Sequence, residues 1–242
     1  MILYYVRHGD PIYDPDSLTE LGHKQAAALA KRFAVYGLDE IYSSPSRRAM
    51  QTAQPTCEAL GLKMKICDWA DEAKAAADVG IVDENGKWNW SFCDKDMAEK
   101  FNDPAVRALG CDWYKHEYFK GLPFGKGIQR IDAAVDGFLL SLGYEHDRKN
   151  KCYKKVGKSP DKVALFAHAG AGTMIMSSML DIPYPHFATR TSLGHTGVSV
   201  FGFGTGAWGD EGKIYPQLFQ YSNDSHLYKE DLLTGYNNTL DI

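Results

Sequence analysis

The chain lacks the marks of a disulfide framework or a zinc knuckle. Its five cysteines (Cys57, Cys67, Cys93, Cys111, Cys152) are scattered, odd in number and contain no C-x-x-C pair. That usage fits a reducing compartment. There is no excess of positive charge either: 27 Lys and Arg against 31 Asp and Glu leave a net charge of −4. This removes the overall electrostatic ground for binding DNA, RNA or an anionic membrane. The longest apolar stretch, Val163 to Leu180, is interrupted by His168, Gly170, Gly172 and Ser177-Ser178, and reads as strand, turn and helix rather than a membrane span. Met1 leads straight into Ile2-Leu3-Tyr4-Tyr5-Val6 without the basic start of a signal peptide. A cytoplasmic location is therefore the expectation. No H-E-x-x-H spacing appears, so neither a metal nor another cofactor is expected.

What is present suits an ordinary globular chain. With 44% hydrophobic and 24% charged residues over 242 positions, there is enough apolar surface for one sizeable α/β domain. Ile2–Val6 is an apolar, β-branched and aromatic run that reads as a buried strand. Thr19 can cap a helix whose face carries Ala26, Leu29, Ala30 and Phe33, ended by Gly37. Glu40–Ser43 predicts a second strand. Ser44-Pro45 then supplies an N-cap and an N1 proline for a helix with Ala49, Ala53, Cys57 and Leu60 on one face. Lys63–Cys67, Val163–Ala167, Gly197–Phe203 and Leu218–Tyr221 predict further strands; Gly127–Leu142 and Thr173–Leu180 predict helices. Strands alternating with helices imply a three-layer α/β/α domain with a largely parallel sheet, spanning residues 1–242. Residues 72–126, rich in Trp, Tyr, Asp and Lys with weak periodicity, read as a cap-like insertion over that sheet. Tyr144–Asp161 reads as an exposed, Lys-rich hairpin or loop.

Arg7-His8 follows the first predicted strand, Ser43–Arg48 the second, and His168 the strand that starts at Val163. Ligands of open α/β sheets bind outside the carboxyl ends of the strands, so two arginines and two histidines are expected to gather at one edge. Such a cluster calls for an anion. Phosphate suits it, because arginine forks hold its oxygens bidentately and a helix N-terminus adds backbone donors. The same positive charge lowers a histidine's pKa, leaving it neutral and nucleophilic at pH 7.

Arg7-His8-Gly9 resembles the signature of the histidine phosphatase (phosphoglycerate-mutase-like) superfamily. Leu18-Thr19-Glu20-Leu21-Gly22 with Gln25-Ala26, Ser43 through Ala53, Phe166-Ala167-His168-Ala169-Gly170 and Asn223 through Leu227 are similar to its further blocks, in the family's order. The resemblance implies a phosphatase acting on a small phosphorylated substrate. His8 would be the nucleophile, Arg7, Arg48 and His168 would bind phosphate, and Glu72, rather than neighbouring Asp71, would be the proton donor. Asp14 stands where the family has an asparagine, and His195 precedes a predicted strand; both are candidate pocket residues. Asp10-Pro11 and Ala169 depart from the usual pattern. Two rivals share the fold: a phosphoglycerate-type mutase and a non-catalytic binder of phosphorylated ligands. Gly170-Ala171-Gly172 is placed like a dinucleotide fingerprint, but Ile175 occupies the third glycine position.

Overall fold

The computed structural model describes residues 1–204 and 212–236. Strand β1 (Ile2–Arg7) leads into a short hairpin, β2 (Pro11–Tyr13) and β3 (Asp16–Leu18), and then helix α1 (Glu20–Tyr36). Thr19 caps α1, its hydroxyl accepting from the Gly22 N–H. Strand β4 (Glu40–Ser43), helix α2 (Arg47–Leu60) and strand β5 (Met64–Ile66) follow. The region expected to be an insertion contains helix α3 (Glu72–Val79), a hairpin of β6 (Gly80–Val82) and β7 (Trp88–Trp90), and helices α4 (Lys95–Asn102) and α5 (Pro104–Ala108). Helix α6 (Phe124–Ser141), the hairpin β8 (Tyr144–Asp147) and β9 (Cys152–Lys155), strand β10 (Lys162–Ala167) and helix α7 (Ala169–Leu180) come next. Helix α8 (Tyr184–Ala188), strands β11 (Val198–Gly202) and β12 (Gln217–Asn223) and helix α9 (Ser225–Tyr228) end the described chain.

The central sheet runs β12-β11-β1-β10-β4-β5. The four strands from β1 to β5 are parallel, and β11 and β12 add an antiparallel edge. Because side chains alternate across a strand, β1 is apolar on both faces. Tyr4 and Val6 pack with Leu29, Phe33 and Ala53 of α1 and α2, while Leu3 and Tyr5 pack with Val135, Leu139 and Met174 of α6 and α7. Burial on both faces is what a central parallel strand requires, and it produces the α/β/α layering.

Three expectations are corrected. Helix α2 starts at Arg47 with Ser46 as N-cap, two residues later than Ser44-Pro45 suggested. The Ser44 hydroxyl is engaged elsewhere, 2.7 Å from His168 Nε2. Helix α7 starts at Ala169, four residues earlier than the glycine-rich start implied, because the Glu72 carboxylate accepts the N–H groups of Gly170 and Ala171. Such capping compensates the poor helix propensity of glycine. The segment expected as an exposed hairpin or loop forms the β8–β9 hairpin, but it is half-buried rather than exposed. His146 lies between Asp136 (2.8 Å) and Asp181 (2.9 Å) and stacks on Tyr153, and Arg148 is paired with Asp132 and Asp136.

Candidate active site

β1 runs into His8, β4 into Ser44 and α2, and β10 into His168, the N-cap residue of α7. The three strands are neighbours in the sheet, so their carboxyl ends open on one edge. There they meet a cleft of about 720 Å³ that Arg7, His8, Arg48, Glu72 and Gly170 help to line.

His8 is 3% exposed. Its Nδ1 lies 2.7 Å from the Gly9 carbonyl. A carbonyl only accepts, so Nδ1 carries the proton and Nε2 keeps its lone pair. Burial, then the charge of Arg7, then His168 push the His8 pKa well below the ordinary 6.5. The ring is therefore neutral at pH 7. Its backbone is fixed by an N–H bond to the Ala167 carbonyl (2.9 Å) and a carbonyl bond from Thr196 N–H (3.2 Å).

His168 is fully buried, its ring centroid 5.2 Å from that of His8. Burial, then Arg48 and Arg7, lower its pKa well below 6.5 as well. The Tyr5 hydroxyl donates to the His168 carbonyl (2.7 Å) and accepts from its N–H (3.2 Å), which fixes the turn between β10 and α7.

Arg7 is held from behind. Its guanidinium donates to the Leu193 carbonyl and, at 2.9 Å, to His195 Nε2. Since arginine can only donate, the His195 proton sits on Nδ1, which faces Asp10 Oδ1 at 3.4 Å. Asp10 is tied in turn to Thr19 (2.7 Å) and Gln25 (2.8 Å). The Thr19 and Gln25 positions of the first-helix motif thus act through Asp10 and His195 on Arg7. Thr52 links the other two blocks: its hydroxyl accepts from Gly9 N–H (2.9 Å) and donates to the Arg48 carbonyl (2.8 Å).

Arg48 is met by Asp16, not Asp14. Asp16 Oδ1 accepts from Arg48 Nη1 and Oδ2 from the Arg47 N–H, both at 2.7 Å. The Tyr13 ring lies under the Arg48 guanidinium at 5.4 Å. Asp16 thus occupies the first turn of α2, where an incoming anion would find its donors. Asp14 is exposed at the hairpin turn and does not line the cleft. The two-residue turn places Asp14 at the tip and returns Asp16 towards α2.

Glu72 reaches the cleft from the start of α3. Its Oε1 accepts from Gly170 N–H (3.1 Å) and Oε2 from Ala171 N–H (2.9 Å). Burial raises its pKa above the ordinary 4.5, against the lowering effect of the two N–H bonds and of Arg48 and Arg7. Asp71 also lines the cleft, but its carboxylate caps α3 by accepting from Ala73 N–H.

The aromatic residues between positions 88 and 119 divide into two groups. Trp113 and Phe119 are buried in a core shared with Phe101 and Phe124. Trp88, Trp90 and Phe92 line the cleft instead. Trp90 packs so closely on Gly170 that a Cβ there would lie 2.5 Å from its ring, so only glycine fits beneath it.

Residues 3–108 match the family model described as the histidine phosphatase superfamily (branch 1). That segment holds Arg7, His8, Arg48 and Glu72, which the geometry above brings to one cleft with His168 behind it. Over that segment the chain is similar to the histidine phosphatase superfamily. Phosphoserine phosphatase 1 of Hydrogenobacter thermophilus is 29% identical over 135 residues, 56% of this chain and 56% of that protein. A second protein of that bacterium, whose name gives the same activity as a provisional assignment, is 29% identical over 153 residues, 60% of this chain and 68% of its own length. The match thus spans between about half and two thirds of these relatives. A mycobacterial glucosyl-3-phosphoglycerate phosphatase has the same fold, with TM-score 0.57, 21% identity, and coverage of 91% of this chain and 98% of that one. So does a phosphoserine phosphatase of Entamoeba histolytica solved with phosphoserine, with TM-score 0.57, 20% identity, and coverage of 93% and 98%.

Within this histidine phosphatase fold, Arg7, His8, Arg48 and Glu72 reach the cleft as sequence patterns suggested. His195 backs Arg7 and lies 6.0 Å from the His8 ring, centroid to centroid. Asp10, Asp16, Ser44 and Tyr5 were not anticipated as parts of the site. Asp16 opens β3, just past the turn that holds Asp14, and reaches α2 from there.

Proposed function

We propose that the chain is a phosphatase that hydrolyses a small phosphate monoester through a phosphohistidine on His8. The observation that carries this reading is the His8 tautomer: an imidazole that is neutral, with its Nε2 lone pair available, beside two arginines. His8 Nε2 attacks phosphorus in line and the bond to the ester oxygen breaks. Glu72, whose raised pKa favours the acid form, gives that oxygen its proton. Water then attacks the phosphoenzyme, Glu72 takes its proton, and His8 is released with inorganic phosphate. Arg7, Arg48 and His168 hold the equatorial oxygens as charge spreads over them. A release assay with p-nitrophenyl phosphate tests the reading; no turnover at any pH from 4 to 8 would refute it.

In this mechanism the arginines supply the positive charge that a divalent ion supplies in other phosphatases. Dialysis against EDTA is expected to leave turnover unchanged. A loss that one divalent ion restores would show the charge accounting to be wrong.

Asp16 must give up Arg48, or share it, when a phosphoryl group binds. Asp16→Asn is therefore expected to tighten competitive inhibition by inorganic phosphate by about fivefold, the scale of a part-exposed ion pair of about 1 kcal/mol. A weaker inhibition in the variant would instead mean that Asp16 preorganises Arg48.

A further inference from the structure

Resting on the phosphatase reading, we infer that the organic part of the substrate carries no carboxylate: it is an apolar or amine-bearing group. Among the described residues, the only cations lining the cleft are Arg7 and Arg48. Both stand at its floor beside His8, and both are needed by the phosphoryl group. Arg7 is further committed to Leu193 and His195, and Arg48 to Asp16. Lys87, the nearest lysine in sequence to the aromatic wall, does not line the cleft. The segments outside the described residues, 205–211 and 237–242, contain no Lys, Arg or His at all.

Above the floor the wall is aromatic and acidic. Trp90 stacks on Phe92 with ring centroids 5.5 Å apart, and Trp88 meets Trp90 edge-on at 5.2 Å. The close fit of Gly170 under Trp90 holds this wall against the start of α7. Two carboxylates, Asp16 and Asp71, share the cleft with it, as does the Glu72 carboxyl group. A carboxylate on the leaving group would enter against like charges and the negative faces of the rings, losing water with no cation to replace it. An ammonium group would find the reverse, aromatic faces and Asp71. A neutral apolar group would be covered by the same rings. This separates the chain from the phosphoserine phosphatases it is similar to, whose named substrate carries a carboxylate.

Two matched pairs of substrates test the inference, each pair differing by one carboxylate: phosphoethanolamine against phosphoserine, and phenyl phosphate against 4-carboxyphenyl phosphate. In both pairs kcat/KM is expected to favour the carboxylate-free ester by tenfold or more. Trp88→Lys, at an exposed position of the wall, is expected to narrow the gap several-fold by supplying the missing cation. Turnover of all four esters with ratios near or below one would overturn the inference and leave the phosphatase reading intact. No turnover of any of them would overturn both.

Discussion

Replacing His8 by alanine is expected to lower kcat by about 10⁴-fold or more on every ester, the scale of losing a nucleophile from a concerted set of groups. The protein should remain folded. His8 is held by backbone bonds to Ala167 and Thr196 that alanine keeps. Its neutral ring gives up a hydrogen bond only to the adjacent Gly9 carbonyl, and the charged form is disfavoured there. The melting temperature is therefore expected to change by no more than a few degrees. Loss of activity together with a large fall in melting temperature would mean that His8 serves the fold.

Glu72→Gln is expected to cost about 10²- to 10⁴-fold on alkyl phosphates, the range for a general acid. On p-nitrophenyl phosphate the loss should be far smaller, because nitrophenolate leaves without a proton. The pH profile gives a second reading. His8 must be neutral, so activity rises as pH climbs through its lowered pKa. Glu72 must be protonated for the first step, so activity falls as pH climbs through its raised pKa. The kcat/KM optimum should lie on the acid side of neutrality, and the alkaline limb should vanish in Glu72→Gln. Asp71→Asn, which keeps an acceptor for Ala73 N–H, should leave both limbs in place. An equal loss on both substrate classes, or a selective loss in Asp71→Asn, would move the proton-donor role away from Glu72.

Much of the site was legible because its parts follow strands. Arg7-His8, Arg48 and His168 each lie just past a run whose composition announces a strand, and parallel neighbours bring such positions together. What was hidden depends on contacts between distant segments. The start of α7 is fixed by Glu72, nearly a hundred residues upstream. The start of α2 is decided by Asp16 and by a Ser44 hydroxyl that faces His168. Asp14 stands where the family has an asparagine, but it lies in the turn of the β2–β3 hairpin, and Asp16, at the start of β3, is the carboxylate that meets α2. The aromatic residues between positions 88 and 119 look alike in sequence. Trp113 packs in a core and Trp90 walls the cleft because of which helix each lies against, and no local period encodes that.

The phosphoenzyme provides the most direct test of the account. A slow-turnover ester mixed with the protein and quenched at alkaline pH, where phosphohistidine survives, should yield one phosphoryl group per chain. Peptide mass spectrometry should place it on the peptide containing His8, and phosphorus NMR should assign it to Nε2, the nitrogen that the Nδ1 bond to Gly9 leaves unprotonated. A phosphoryl group on His168, His195 or any other side chain would contradict the account, as would steady turnover with no phosphoenzyme at any time after mixing.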